Sequence, residues 1–213
     1  MADYLELYDS GSKSYTKSPK IYHQGITLAK KYTYADYLTW GDDVRYELLD
    51  GVPYMMSSPN EPHQWITAHI WQQLSVQLKD TPCEPYVAPM DVRLFYEDDS
   101  SDTTVTQPDI LVVCDENTIR GLNYCKGPPN LIIEITSPST ESIDFGIKRF
   151  LYEKARVPEY WIVSQNRVYA YLLQNAVYSE EVFLLNNSNL IEIRTLKNIA
   201  IDFSGISQRY LNS

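Results

Sequence analysis

Apolar and polar positions alternate along the chain with two different periods. Between residues 62 and 79, Ile66, Ile70, Leu74 and Leu78 recur at every fourth place. At about 100° per residue they fill one stripe about 120° wide, and Pro62 stands where a first helical turn would begin, so a helix is predicted. A second helical pattern covers residues 142–156, with Ile143, Ile147, Phe150, Leu151 and Ala155 as its apolar arc and Pro158 beyond its end. Blocks rich in Val, Ile, Leu and Tyr, bounded by turn residues, predict strands over 86–96, 110–113, 131–135, 160–163, 167–173 and 181–185. Asp50-Gly51 predicts a tight hairpin, and Thr33 followed by Asp36 predicts a capped short helix over 34–40. The order helix, three strands, helix, strand predicts an α/β (α+β) domain over residues 33–213. Its expected core is one mixed sheet flanked by helices, with a hairpin and a polar N-terminal arm over residues 1–32.

Charge adds a constraint. The 213 residues carry a net charge of −10, which argues against a nucleic-acid binder that works through a basic footprint. The deficit is local: residues 1–39 sum to +1, residues 40–135 to −11, and residues 136–213 to zero. Cys83, Cys114 and Cys125 are odd in number and form no C-x-x-C pair, so an oxidised framework or a cysteine zinc site is not expected and a reducing cytoplasm fits. No apolar run reaches the roughly 18 residues of a membrane span, and the first residues lack the apolar stretch of a signal peptide.

Several chemistries drop out. His63 and His69 are six residues apart on the predicted helix and point to different sides, so they cannot share a metal as an H-x-x-x-H pair does. No G-x-S-x-G elbow occurs, and a chain with 8 glycines carries no phosphate-cradling loop. Carboxylates remain. Asp109 opens one apolar strand, and Glu134 lies inside another, where burial is costly unless a cation or lysine compensates it. If the two strands are neighbours, these carboxylates meet at one sheet end and suit Mg²⁺ or Mn²⁺. Each also has a plainer reading: Asp109 as a turn residue after Pro108, Glu134 as half of a structural ion pair.

With these residues in view, the chain resembles a known family. Tyr46-Glu-Leu-Leu-Asp-Gly, Pro62-His-Gln, Gln107-Pro-Asp-Ile, Ile133-Glu-Ile-Thr-Ser-Pro-Ser-Thr, Asp144-x-x-x-Lys148 and Val157-Pro-Glu-Tyr-Trp-Ile-Val follow in order. Together they resemble the Uma-type restriction endonuclease family, a branch of the PD-(D/E)xK nuclease fold. The resemblance implies a restriction-endonuclease-like core, a metal on Asp109 and Glu134, and Mg²⁺- or Mn²⁺-dependent cleavage of DNA. It departs in one place: Thr136 stands where the motif lysine belongs, two residues after the glutamate. Lys148 is the matching candidate from the following helix, on the border of the apolar arc, with Asp144 one turn earlier to hold it. Glu47 is a candidate third catalytic carboxylate, and His63 a candidate contact to a ligand or phosphate oxygen. Their plainer readings are a solvent-facing strand residue for Glu47, a satisfied helix-start histidine for His63, and a solvated i, i+4 pair for Lys148 and Asp144. A competing function is a nuclease-fold binding module with little or no activity. A homodimer would suit cutting of both strands.

Overall fold

The computed structural model describes residues 30–41, 44–164, 166–185 and 190–206. The expected N-terminal arm lies outside them except for its last three residues. Helix α1 (Tyr34–Tyr37) carries the anticipated capping box: the Thr33 hydroxyl accepts from the Asp36 N–H, and the Asp36 carboxylate accepts from the Thr33 N–H. Strands β1 (Tyr46–Leu49) and β2 (Val52–Met55) form the hairpin. Asp50 and Gly51 both have positive φ, as its tight turn requires. A Cβ at Gly51 would also lie 2.7 Å from the Lys31 side chain, whose ammonium pairs with Asp50.

Helix α2 (Glu61–Gln77) buries the predicted stripe. Strand β3 (Glu84–Val87) then pairs with β6 (Ile110–Val113), while β4 (Asp91–Arg93) pairs with β5 (Val105–Thr106) and, in parallel, with β7 (Tyr124–Lys126). Strand β8 (Leu131–Ile135) follows. Its crossover to β9 (Glu159–Val163) runs through α3 (Glu141–Ile143), a π turn (Asp144–Lys148) and α4 (Arg149–Lys154). Strands β10 (Arg167–Gln174), β11 (Val177–Leu184), β12 (Leu190–Glu192) and β13 (Ala200–Asp202) complete the described elements.

The expected single sheet is in fact three. A six-stranded sheet has the order β11-β10-β9-β8-β6-β3, a five-stranded one β2-β1-β5-β4-β7, and β12 pairs with β13. The run over residues 86–96, expected as one strand, is two strands in different sheets, divided at the cis Ala88–Pro89 bond. The central strands are covered on both faces, which is why they read as continuous apolar runs. On one face Ile110, Ile133 and Trp161 pack with Ile66, Ile70 and Phe203. On the other, Leu111, Ile132 and Ile162 pack with Leu49, Val92 and Tyr152. Residues of opposite parity thus serve two cores, and the even positions of β8 face α4.

Two more expectations are corrected. Cys83 and Cys114, one step beyond the Glu84–Val113 pair of the β3–β6 ladder, are joined in a disulfide, while Cys125 is free and buried. The cysteine pattern therefore no longer argues for a reducing compartment. The acidic loop over residues 97–102 reads from its composition as a solvated turn region, yet it ends on a buried residue. Asp102 pairs with the buried Arg93, whose guanidinium lies 4.0, 4.3 and 4.8 Å from the ring centres of Tyr34, Tyr96 and Tyr124. Among the described residues no helix is long and apolar enough to cross a membrane.

A solvated Asp102 would tolerate substitution within about 0.5 kcal/mol. As half of a buried pair, its removal leaves the Arg93 charge uncompensated, so Asp102→Ala is expected to cost about 3–5 kcal/mol in urea unfolding.

Candidate functional site

The site forms where the six-stranded and five-stranded sheets meet. Strand β5 passes into β6 through Gln107-Pro108-Asp109, so Asp109 lies at the very start of β6. Strand β8 runs antiparallel to β6 with Ile110 opposite Ile133, which brings Glu134, near the end of β8, beside Asp109. The Asp109 N–H lies 3.3 Å from Glu134 Oε2, and the Ile135 N–H donates to Asp109 Oδ2 at 2.8 Å. Glu47 reaches the same place from β1. Its Oε1 accepts from the Gln107 N–H at 2.8 Å.

Lys148 is drawn into this group by the π turn. There the Arg149 N–H donates to the Asp144 carbonyl, an i→i−5 bond that takes one residue more than an α-helical turn. A uniform helix would leave Lys148 at the edge of the arc and Phe150 within it. The wider turn changes the phase: Lys148 and Asp144 are buried, and Phe150, expected in the core, is 56% exposed. The Lys148 Nζ lies 2.9 Å from Glu134 Oε1, 2.9 Å from Glu47 Oε1 and 3.8 Å from Asp144 Oδ1. The Lys148–Asp144 pair is therefore internal, not solvated. Thr136, at the motif-lysine position, hydrogen-bonds Asp144, and so does Thr140. His63, in the first turn of α2, places Nε2 3.0 Å from Asp109 Oδ2. All seven residues singled out in the sequence thus stand at one end of the two sheets.

Tyr152 was missed. Fully buried on α4, it donates its hydroxyl to Glu134 Oε1 at 2.9 Å, the oxygen that also faces Lys148. The sequence showed it only as an aromatic at a core-like position; a signal was its place four residues after Lys148, on the same helix side.

Electrostatics follow from burial and from charge number. Burial pushes the Glu134 carboxyl well above the usual range; Lys148 opposes this, while Asp109, Asp144 and Glu47 add to it. Burial raises Asp144 too, against the pull of Lys148 and its threonine hydrogen bonds. For Lys148 burial acts downward, but Glu134, Glu47 and Asp144 outweigh it and hold the ammonium charged. Burial likewise pulls His63 down, and the hydrogen bond and charge of Asp109, helped by Asp144, more than reverse it. Four carboxylates thus face one lysine and one histidine, so negative charge is in excess.

That excess, on hard oxygen donors, fits a divalent cation. Among the described residues no group of three His, Cys, Asp or Glu side chains is arranged to hold a metal. Mg²⁺ needs no such cage, because it keeps several waters and binds through one or two carboxylates with substrate phosphate. Glu134 Oε1 is committed to Lys148 and Tyr152, whereas Oε2 has only the 3.3 Å contact with the Asp109 N–H and keeps a lone pair for a cation. The group opens into a cleft of about 800 Å³ between the hairpin, α2 and the loop after β8.

A mixed sheet thus carries paired carboxylates and a buried lysine at one end. The chain belongs to the Uma2 family, described as "Putative restriction endonuclease", which it matches over residues 34–204. It is similar to an uncharacterised protein of Synechocystis sp., 26% identical over 172 residues that span 79% of this chain and 86% of that one. Its fold is also similar to the crystal structure of a "putative nuclease belonging to DUF820" from Anabaena variabilis. That match has a TM-score of 0.67 at 16% identity and covers 83% of this chain and 97% of the other. Family and fold together are nuclease-like.

Two outcomes are expected. Because the folded pKa of His63 is raised, its contribution to stability is complete below its ordinary 6.5 and is lost as pH rises through the raised value. His63→Gln should therefore flatten the stability profile just above pH 6.5, as read by thermal unfolding at a series of pH values. Tyr152→Phe takes a donor from a buried carboxylate and should lower stability by about 1.5–3 kcal/mol in denaturant unfolding.

Proposed function

We propose that this protein is a metal-dependent endonuclease that hydrolyses DNA phosphodiester bonds, with Asp109, Glu134, Lys148 and Glu47 as its catalytic residues. The observation that carries the reading is the 2.9 Å contact between Lys148 and Glu134, with Asp109 beside them. It supplies the carboxylate–lysine pairing of the nuclease motif although Thr136 occupies the motif-lysine position.

Asp109 and Glu134 would hold Mg²⁺ or Mn²⁺, through Asp109 and through the Glu134 oxygen not taken by Lys148 and Tyr152. Such an ion, when bound, polarises a phosphate oxygen and makes a bound water more acidic. The remaining roles belong to the chain. Lys148, kept charged by three carboxylates, offers its ammonium to the charge that grows on the phosphate oxygens or to the attacking water. Glu47 and Asp144 hold that ammonium in place. His63 orients Asp109 through Nε2 and, when protonated, adds a second positive charge near the phosphate. Thr136 and Thr140 position Asp144.

A second reading, a nuclease-fold binding module with little activity, draws on one observation: the Lys148 side chain is only 7% exposed among its carboxylates. The two readings differ in what the protein does to DNA. For the nuclease, calorimetry should detect Mn²⁺ binding that Asp109→Asn abolishes, and plasmid DNA should be nicked by the wild type and not by Glu134→Ala. Lys148→Ala should retain Mn²⁺ binding and lose cleavage by about 100-fold or more, as removal of a group that stabilises transition-state charge does. Full cleavage by Lys148→Ala would contradict its role, and metal binding without any nicking over a range of salt and DNA forms would favour the binding module.

A further inference from the structure

The cleft beside the carboxylates is built unlike a duplex-binding surface. Among the described residues that line it, only Arg45 and Lys148 are lysine or arginine, and Lys148 is already enclosed by Glu47, Glu134 and Asp144. Duplex binding draws most of its affinity from many phosphate contacts made by such side chains. The described wall of the cleft offers almost none.

It offers apolar and aromatic surface instead. Tyr54, Met55 and Met56, along β2 and at its end, form one side, and Val87 and Ala88 at the end of β3 contribute to another. Trp71 on α2 lines the same space. The residue is 38% exposed, and its indole N–H donates to the Pro85 carbonyl at 3.1 Å. A large ring held in place by a backbone hydrogen bond loses little freedom when a second flat group stacks on it. Beyond it, Gln64, Ser137 and Ser139 supply neutral polar side chains. A volume of about 800 Å³ lies within the range of sites that enclose small ligands.

From these features we infer that the cleft takes an unpaired nucleic-acid strand, a single strand or a locally opened duplex, with a base stacked on Trp71 and the adjoining phosphate at the carboxylate group. The inference rests on the nuclease reading for the phosphate end and on the cleft wall for the base end. Stacking tolerates any sequence, because every base has a π face. A strand held mainly by stacking, with Arg45 and protonated His63 as the cations that the described cleft wall offers it, releases few counterions when it binds. Its affinity therefore depends on salt far less than that of a duplex binder.

The test compares one labelled oligonucleotide, single-stranded and annealed to its complement, by fluorescence anisotropy in buffer containing Ca²⁺. The single strand should bind at least 10-fold more tightly than the duplex, with a logarithmic salt slope no steeper than about −2. Trp71→Ala should weaken single-strand binding by roughly 5- to 150-fold, the effect of losing one stacked base, and Trp71→Phe should recover most of it. Mn²⁺ affinity, read by calorimetry, should be the same in all three proteins. Equal binding of duplex and single strand, or a Trp71→Ala protein that binds the single strand as the wild type does, overturns the inference whatever the cleavage result. A Trp71-dependent preference for the single strand in a protein that cleaves nothing upholds the cleft assignment and overturns the nuclease reading.

Discussion

Lys148 meets Glu134 in a place that water hardly reaches, and much of the architecture can be traced to that contact. A buried ammonium or carboxylate alone would be very costly, and the pair is tolerable only with close geometry and further hydrogen bonds. Glu47, Asp144, Tyr152 and the Gln107 backbone provide these. They come from β1, the π turn, α4 and the link between β5 and β6, so satisfying one ion pair fixes two sheets and a crossover helix relative to each other. The excess of carboxylate over lysine leaves negative charge in the lining of the cleft, where Asp109 and the second Glu134 oxygen lie.

The π turn is the device that makes the contact possible. A regular helix would have kept Lys148 on the rim of the apolar arc, its stem packed on the sheet and its ammonium near solvent. Widening one turn moves Lys148 and Asp144 inward and sends Phe150 outward. On the proposed function, the lysine absent from its motif position is thus supplied from a helix, at the expense of an apolar residue left on the surface. Such wide turns recur at functional sites because they redirect a side chain without breaking a helix.

How far the chain could be read from its residues follows the range of the interactions involved. The α2 stripe, the Asp50-Gly51 hairpin, the Thr33 cap and the buried runs of β6, β8 and β9 depend on neighbours within a few residues, and all were legible. So were Asp109 at a strand start and Glu134 in an apolar run, while Glu47, His63, Thr136, Asp144 and Lys148 were reached through the family resemblance. Long-range pairing was not legible. Strand β5 has only two residues, β4 parts from β3 at Pro89, and the register that joins Cys83 to Cys114 has no local signal. Asp102 belongs to an acidic loop by composition and to a buried pair with Arg93 by tertiary contact. Tyr152 carries a hydroxyl whose partner is known only once β8 and α4 are packed. The phase of the π turn was equally hidden, because periodicity arguments assume a uniform helix.

The net charge of −10 that seemed to exclude nucleic acid is better understood in this setting. Part of it is a carboxylate group suited to a divalent cation, which would offset two charges, and under the proposed function that offset falls beside a phosphate. The most direct measurement is a crystal soaked in Mn²⁺, with the ion located by its anomalous scattering. A peak between Asp109 and Glu134, on the side of Glu134 away from Lys148, is the predicted result. A fully occupied ion elsewhere, with those two carboxylates bound only to protein and water, would contradict it.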